Sequence, residues 1–233
     1  MHELPSPPDP AAPSGALPQD RTARGIAALL RAPGLWRGRQ SVATEVWRTG
    51  FAALDAALPG GGWPRIGLVE ILTTRPGQGE LQLLAPLLAQ LTQLEPPRWI
   101  AWIAPPFEPY APGLAARGIA VERQLVIRTS AALWALEQAL GSGACELALA
   151  WAERVPPVRL LRRLQLASER GRTPGFLFRN RAAGSRPSPA TLRMALAPLP
   201  DGRGLEVELL KSRGGARGPW VLQWPSREPS AAP

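Results

Sequence analysis

The sequence predicts an α/β fold, with a mainly parallel sheet, helices on both faces and an antiparallel extension at the C-terminal end. Three observations carry this reading. Short apolar runs recur near residues 66–72, 99–104, 124–128, 145–151 and 174–178, each bounded by chain breakers as buried strands are. The stretches between them repeat apolar residues at helical spacing: Leu81, Leu84, Leu88 and Leu91, then Leu133, Leu136 and Leu140, then Val158, Leu161 and Leu164. Beyond about residue 190 the alternation gives way to segments 191–198, 204–211 and 219–224, separated by Pro-Asp-Gly and Gly-Gly turns. Strand alternating with helix implies right-handed crossovers and a parallel sheet, whereas strands joined by tight turns imply antiparallel pairing.

Taken in order, residues 1–21 hold Pro5, Pro7, Pro8, Pro10, Pro13 and Pro18, and such a leader supports neither helix nor sheet. Residues 22–46 are expected to form a short amphipathic helix, with Ile26, Leu29 and Leu30 on one face, that stops before Pro33-Gly34 and leads through a polar link. The core domain is expected at 47–224. It enters through TGFAALDAALPGGGWP, a helical turn ended by Gly60-Gly61-Gly62, and residues 225–233 form a second disordered tail. There is no internal repeat.

Composition narrows the chemistry. The chain of 233 residues has 45% hydrophobic and 19% charged residues, enough apolar material for one core. Its formal charge is +9, and apart from Lys211 every cation is arginine. An acidic partner such as nucleic acid or an acidic protein surface accounts for that excess, and so does the Arg/Ala/Pro/Gly bias of a G+C-rich genome. The sole histidine, His2, lies in the Pro-rich leader, and the sole cysteine, Cys145, lies in an apolar run. Metal clusters, disulfides and histidine-based triads are thereby excluded, and Cys145 reads as a reduced core residue. No apolar stretch approaches the length of a membrane span and the N-terminus lacks a secretory pattern, so the expected location is the cytoplasm.

The turn after the first long strand is where an open α/β sheet aims its ligand crevice. That turn is TTRPGQGELQ, Thr73 to Gln82. A phosphate-binding loop needs glycine backbone to present N–H groups, a lysine to neutralise phosphate and a Ser/Thr to hold magnesium. Gly77 and Gly79 supply the backbone, but Glu80 stands at the lysine position and Leu81 at the hydroxyl position. A carboxylate about 4 Å from a phosphate is repelled by several kcal/mol at an intermediate dielectric, where lysine would attract it. Glu80 instead suits the first turn of a helix, where it complements the dipole. Pro86 is expected to kink or split that helix. The acid that would hold magnesium at the end of ELALAWAE is replaced around Trp151, with Glu153 nearby, and a water-activating acid after WIAWIA is replaced by Pro105-Pro106, with Glu108 further on. No cofactor and no catalytic residue is therefore expected.

The segment TGFAALDAALPGGGWPRIGLVEIL, Thr49 to Leu72, resembles the entry to a RecA-type ATPase core. More specifically, LWRG at Leu35 to Gly38, ALPGGGWP at Ala57 to Pro64, PGQGELQLL at Pro76 to Leu84, WIAPPFEPYAPGL at Trp102 to Leu114, ALWALEQAL at Ala132 to Leu140 and LRRLQLA at Leu161 to Ala167 are similar to the ImuA family. The resemblance spans roughly residues 22 to 225. It implies a RecA-like core and a role in the SOS response, as an accessory protein of mutagenic translesion DNA synthesis. It further implies partnership with ImuB, an inactive relative of Y-family polymerases, with an error-prone C-family polymerase and with RecA, and incomplete retention of the ATPase residues.

Function would then lie on surfaces. Ile26, Leu29, Leu30 and Trp36 are candidates for docking on RecA or on a second copy, the alternative being packing on their own domain. Arg159, Arg162, Arg163 and Arg170 oppose the apolar stripe of their helix and read as a solvated or a basic binding face. Arg179, Arg181 and Arg186, with Lys211, Arg213 and Arg217, are candidate contacts to single-stranded DNA, because glycine-flanked arginines suit phosphate. Trp220 and Trp224 are either a partner site or core. Against the adaptor reading stand a weak DNA-dependent ATPase or recombination mediator, and a cell-division inhibitor resembling SulA.

Overall fold

The computed structural model describes residues 45–152, 154–212 and 218–224. The expected leader, the N-terminal helix with Ile26, Leu29, Leu30 and Trp36, Glu153, Arg213, Arg217 and the C-terminal tail lie outside the described residues.

A two-residue pairing of β1 (Val46–Trp47) with β2 (Trp63–Pro64) brackets helix α1 (Ala52–Ala57). Then follow β3 (Leu68–Thr73), α2 (Glu80–Leu91), β4 (Trp99–Ile103), α3 (Ala111–Ala115), β5 (Gln124–Ile127), α4 (Ala132–Ser142), β6 (Cys145–Trp151), α5 (Val158–Gly171) and β7 (Gly175–Asn180). The chain ends in β8 (Leu192–Pro198), β9 (Gly204–Lys211) and β10 (Pro219–Gln223). The main sheet has eight strands in the order β10-β9-β8-β3-β7-β6-β4-β5.

Strands from β5 to β8 run parallel, and β8, β9 and β10 pair antiparallel. The expected antiparallel extension is therefore present, with one correction. β8 is the parallel neighbour of β3 and carries the sheet past its centre before the meander begins. The Pro-rich connection from β7 is long enough to cross over β3, which tight turns alone cannot do.

Two-residue alternation divides the sheet into two faces. Val69, Ile71, Ile100, Trp102, Leu147, Leu149 and Phe176 meet the α2 leucines 83, 84, 87, 88 and 91. Leu68, Ala101, Ile103, Ala148, Ala150 and Leu177 meet α4 and α5 through Leu136, Leu140, Leu161 and Leu164. The second face is rich in alanine, which lets α4 and α5 sit close to the sheet. Burying these side chains contributes about 1.5–3 kcal/mol for each large one, so packing rather than propensity holds the helices.

Pro86 does not split α2, contrary to the sequence expectation, since the helix runs unbroken from Glu80 to Leu91. Pro86 lies on the exposed side, and five leucines on the buried side hold the turns on either flank of it. No helix among the described residues is long and apolar enough to cross a membrane.

Candidate functional site: a strand-end loop closed by its own side chains

β3 ends at Thr73 and α2 starts at Glu80, so the intervening loop sits at the C-terminal end of a central strand. β4 and β6 are neighbours whose following helices pack on opposite faces, an arrangement that opens a crevice at the strand ends. The loop therefore occupies the place where an α/β sheet would hold phosphate.

Four of its amides are already in use. The Glu80 carboxylate accepts from the N–H of Gly77 at 2.6 Å and from that of Gln78 at 2.8 Å. The Gln78 side-chain oxygen accepts from the N–H of Thr74 at 3.1 Å, the N–H of Arg75 at 3.2 Å and the Thr74 hydroxyl at 2.7 Å. Pro76 has no N–H to offer. Between Thr74 and Gln78, every backbone donor goes to a side chain of the loop itself.

Physically, Glu80 takes the role of the anion. It is only 3% exposed, with its carboxylate folded back over the amides of Gly77 and Gln78. A second anion would have to displace these charge-assisted bonds and then sit beside the displaced carboxylate. Gly77 and Gly79 hold φ of +81° and +103°, the left-handed region that glycine occupies without strain. At Gly79 there is also no room: an added Cβ would lie 3.0 Å from Leu205 Cδ2 and 3.1 Å from Trp224 Cζ2. Leu81, in the would-be hydroxyl position, is partly exposed on α2 and borders an apolar groove with Phe107 and Tyr110.

The crevice floor is aromatic. Trp151, at the end of the β6 strand, stacks on Phe178 at 4.5 Å and 20° and on Trp102 at 6.0 Å and 15°. Glu108 is exposed and paired with Arg128 on the surface. Among the described residues, no group of three His, Cys, Asp or Glu side chains is placed to hold a metal ion.

Of the candidate DNA-contact arginines among the described residues, Arg179 is placed differently from the expectation. Arg179 was a candidate DNA contact, yet it is 5% exposed and donates to Glu70. Glu70 is fully buried in β3, and the register that sets it beside Arg193 of β8 and near Arg179 of β7 gathers one carboxylate and two guanidinium groups. Arg193 Nε lies 2.5 Å from Glu70 Oε2 as a charge contact without hydrogen-bond alignment, while its terminal nitrogens donate to the carbonyls of Arg186 and Ala183 at 2.9 Å each. Arg179 thus belongs to a core cluster because its position on β7 points inward. Arg181 is exposed and paired with Glu208 at 2.8 Å, and Arg186 is exposed. Lys211 donates to the carbonyl of Ser188 at 2.7 Å. Loop 181–190 is therefore stitched to β8 and β9.

Trp220 and Trp224, considered as a partner site, both pack against the core. Trp224 meets Phe51 edge to face at 5.9 Å and closes over Gly79. Val221 is the exposed apolar residue of β10. On α5, Arg163 is paired with Glu137 of α4 at 2.6 Å, and Arg159, Arg162 and Arg170 are exposed. Cys145 is buried, and that burial pushes its thiol above the usual range despite an opposing pull from Arg98.

The residues missed from sequence were Gln78, Glu70 and Arg193. A lone acid inside the apolar run LVEIL signals a buried ion pair, though it does not name the partners. Gln78 carried no comparable signal.

No protein-family model matches the chain. Protein ImuA of Caulobacter vibrioides is 32% identical over 206 residues, covering 77% of this chain and 84% of that protein. The cell division inhibitor SulA of Edwardsiella piscicida is 36% identical over 121 residues, 49% of this chain and 69% of that protein. The crystal structure of SulA from Pseudomonas aeruginosa aligns with a TM-score of 0.41 and 28% identity, over 48% of this chain and 97% of that one. On the identity and coverage of its match to the Caulobacter protein, the chain belongs to the ImuA family.

Proposed function

We propose that the chain is a non-catalytic accessory protein of mutagenic translesion DNA synthesis, with a RecA-like layout adapted from nucleotide hydrolysis to protein bridging. In this reading it joins an ImuB-type inactive polymerase to RecA and DNA, alongside an error-prone C-family polymerase, in the cytoplasm of a cell responding to DNA damage. Family membership supports the process. The self-closed loop supports the absence of catalysis, and it is the observation that carries the proposal: the loop amides of Thr74, Arg75, Gly77 and Gln78 are bonded to the Glu80 and Gln78 side chains. Leu81 has no oxygen for magnesium, and no lysine stands near Gly79.

The test is co-purification of the full chain with the ImuB-type protein across a range of salt, with ATP turnover measured on the same preparation. Association without turnover is the expected result. DNA-stimulated hydrolysis would instead support the ATPase or recombination-mediator reading, and loss of association at every salt concentration would remove the adaptor. The SulA similarity over 121 residues favours one second reading, inhibition of cell division. Division arrest on overproduction of the chain would support it, and normal division would dismiss it.

A further inference from the structure

On the sheet face opposite α2, helices α4 and α5 turn Leu136, Leu140, Leu161 and Leu164 inward and leave their outer sides to solvent. One ion pair ties the two helices together. Arg163 donates through Nε at 3.1 Å and Nη2 at 2.6 Å to the two carboxylate oxygens of Glu137. Trp134 precedes Glu137 by three positions and Leu166 follows Arg163 by three, so each stands one helical turn from that pair, at 62% and 61% exposure. Arg159 and Arg162 are exposed on the same side of α5. The Arg170 guanidinium lies across α4 at Gly141, where an added Cβ would come 2.5 Å from its Nη2.

The charges of this face do not cancel. Arg159, Arg162 and Arg170 are exposed and form no ion pair among the described residues. Glu169 is the acid of α5, and its carboxylate accepts from the Gln165 side chain at 2.9 Å rather than from an arginine. A helix face that only meets water interleaves both signs at i, i+4 spacing. Here Arg159 and Arg163, four positions apart, carry the same sign. Arg159 also stands in the first turn of α5, which holds no acid and where the helix dipole disfavours a cation. Arg159 and Arg162 therefore stabilise neither their own helix nor a neighbour among the described residues, and such a local conflict is expected where a surface serves binding.

We propose that the outer face of α4 and α5 is a docking surface for an acidic amphipathic helix of a partner protein, with carboxylates on Arg159, Arg162 and Arg170 and apolar side chains buried against Leu166 and Trp134. The unneutralised arginines call for an acidic partner. The apolar side chains select a protein over a nucleic acid, because a phosphate backbone offers Leu166 nothing to bury against. Val158 and Leu166, both exposed, flank Arg162 at four-residue spacing, the period that a facing helix meets with anchors at i, i+3, i+4 and i+7. Trp and Arg are also the side chains that carry most of the energy in protein–protein contacts. The inference goes beyond the accessory reading and depends neither on the ImuB-type partner nor on the closed loop, so each can fail alone.

The probe is a fluorescein-labelled peptide about 20 residues long, enough to form a helix on contact, with leucine at i, i+3, i+4 and i+7 and glutamate on the flanks. Its anisotropy is read with the full chain over a salt series, for the parent and for Arg162→Ala, Leu166→Ala, Trp134→Ala and Arg203→Ala. All four side chains are exposed, so the variants keep the fold, which matching thermal transitions verify. The first three are each expected to weaken binding about 5–10-fold, the loss of one central interface side chain. Arg162→Ala should also flatten the salt dependence, whereas Leu166→Ala and Trp134→Ala remove no charge and should leave it unchanged. Arg203→Ala, on the turn between β8 and β9, should match the parent. A peptide of the same composition in scrambled order should bind about tenfold more weakly. Absence of peptide binding, equal binding of the scrambled peptide, or face variants with the parent's affinity would overturn the inference. Displacement of the peptide by oligo(dT) as effectively as by unlabelled peptide would assign the face to nucleic acid and would overturn it as well.

Discussion

Replacing Glu80 by alanine removes the carboxylate that closes the loop. Two N–H donors, at Gly77 and Gln78, lose an ionised acceptor. Hydrogen bonds to a charged group contribute about 1.5–3 kcal/mol each, so the dry limit is about 3–6 kcal/mol. The site is not dry. Gly77 is exposed and Gln78 partly so, and water can replace much of what is lost. That brings the cost to about 2 kcal/mol, to which the lost interaction with the α2 dipole adds about 0.3–1 kcal/mol. At about 2–4 °C per kcal/mol for a domain of this size, the thermal midpoint should fall by about 5–10 °C. The assay is thermal unfolding of the full chain by far-ultraviolet circular dichroism at neutral pH. Glu80→Gln, which keeps one acceptor oxygen, should fall between parent and alanine variant. A midpoint for Glu80→Ala within about 1 °C of the parent would refute the reasoning, because the carboxylate would then not be holding the loop.

Three further outcomes are expected. Gly79→Ala places a Cβ against Leu205 and Trp224 at φ +103°, and should cost about 2–3 kcal/mol in urea unfolding, whereas Gly77→Ala, at φ +81° with nothing within 4 Å, should cost only the left-handed penalty of about 1–2 kcal/mol. Equal losses would show that Trp224 does not press on the loop. Glu70→Ala leaves Arg179 and Arg193 buried without their carboxylate and should lose about 3–5 kcal/mol, visible as a lower urea midpoint or a collapse of soluble yield. The raised Cys145 thiol should resist a thiol reagent in the native chain at mildly alkaline pH and react fully in urea; its contribution to stability is whole below the usual thiol range and lost as pH rises through and above it, because the unfolded chain ionises first.

Much of the architecture is legible in local pattern. The apolar runs from 66–72 to 174–178 and the leucine spacings between them mark β3 to β7 and helices α2, α4 and α5 to within a residue or two at most ends. Both signals depend on neighbours close in sequence, so the chain carries them without reference to its fold. Glu80 is legible for the same reason, as an acid at the start of a helix following two glycines. Pro86 misleads because its local cost is real, while the five leucines that offset it act through the sheet. Gln78 is silent because a glutamine in a loop has many partners in reach, and only the loop's path selects the amides of Thr74 and Arg75.

The division between the two levels is clearest in the charges. The sequence alone determined that the sole lysine is Lys211, more than a hundred residues from Gly79, and that Glu80 and Leu81 follow the two loop glycines. Which arginines face water and which face Glu70 was decided only by tertiary structure. Arg179 and Arg181 stand two positions apart, yet one is buried against a carboxylate more than a hundred residues away in sequence and the other pairs on the surface with Glu208. The parallel register of β3 with β7 and β8 sets that outcome, and register is settled by packing the whole sheet rather than by any short stretch of sequence.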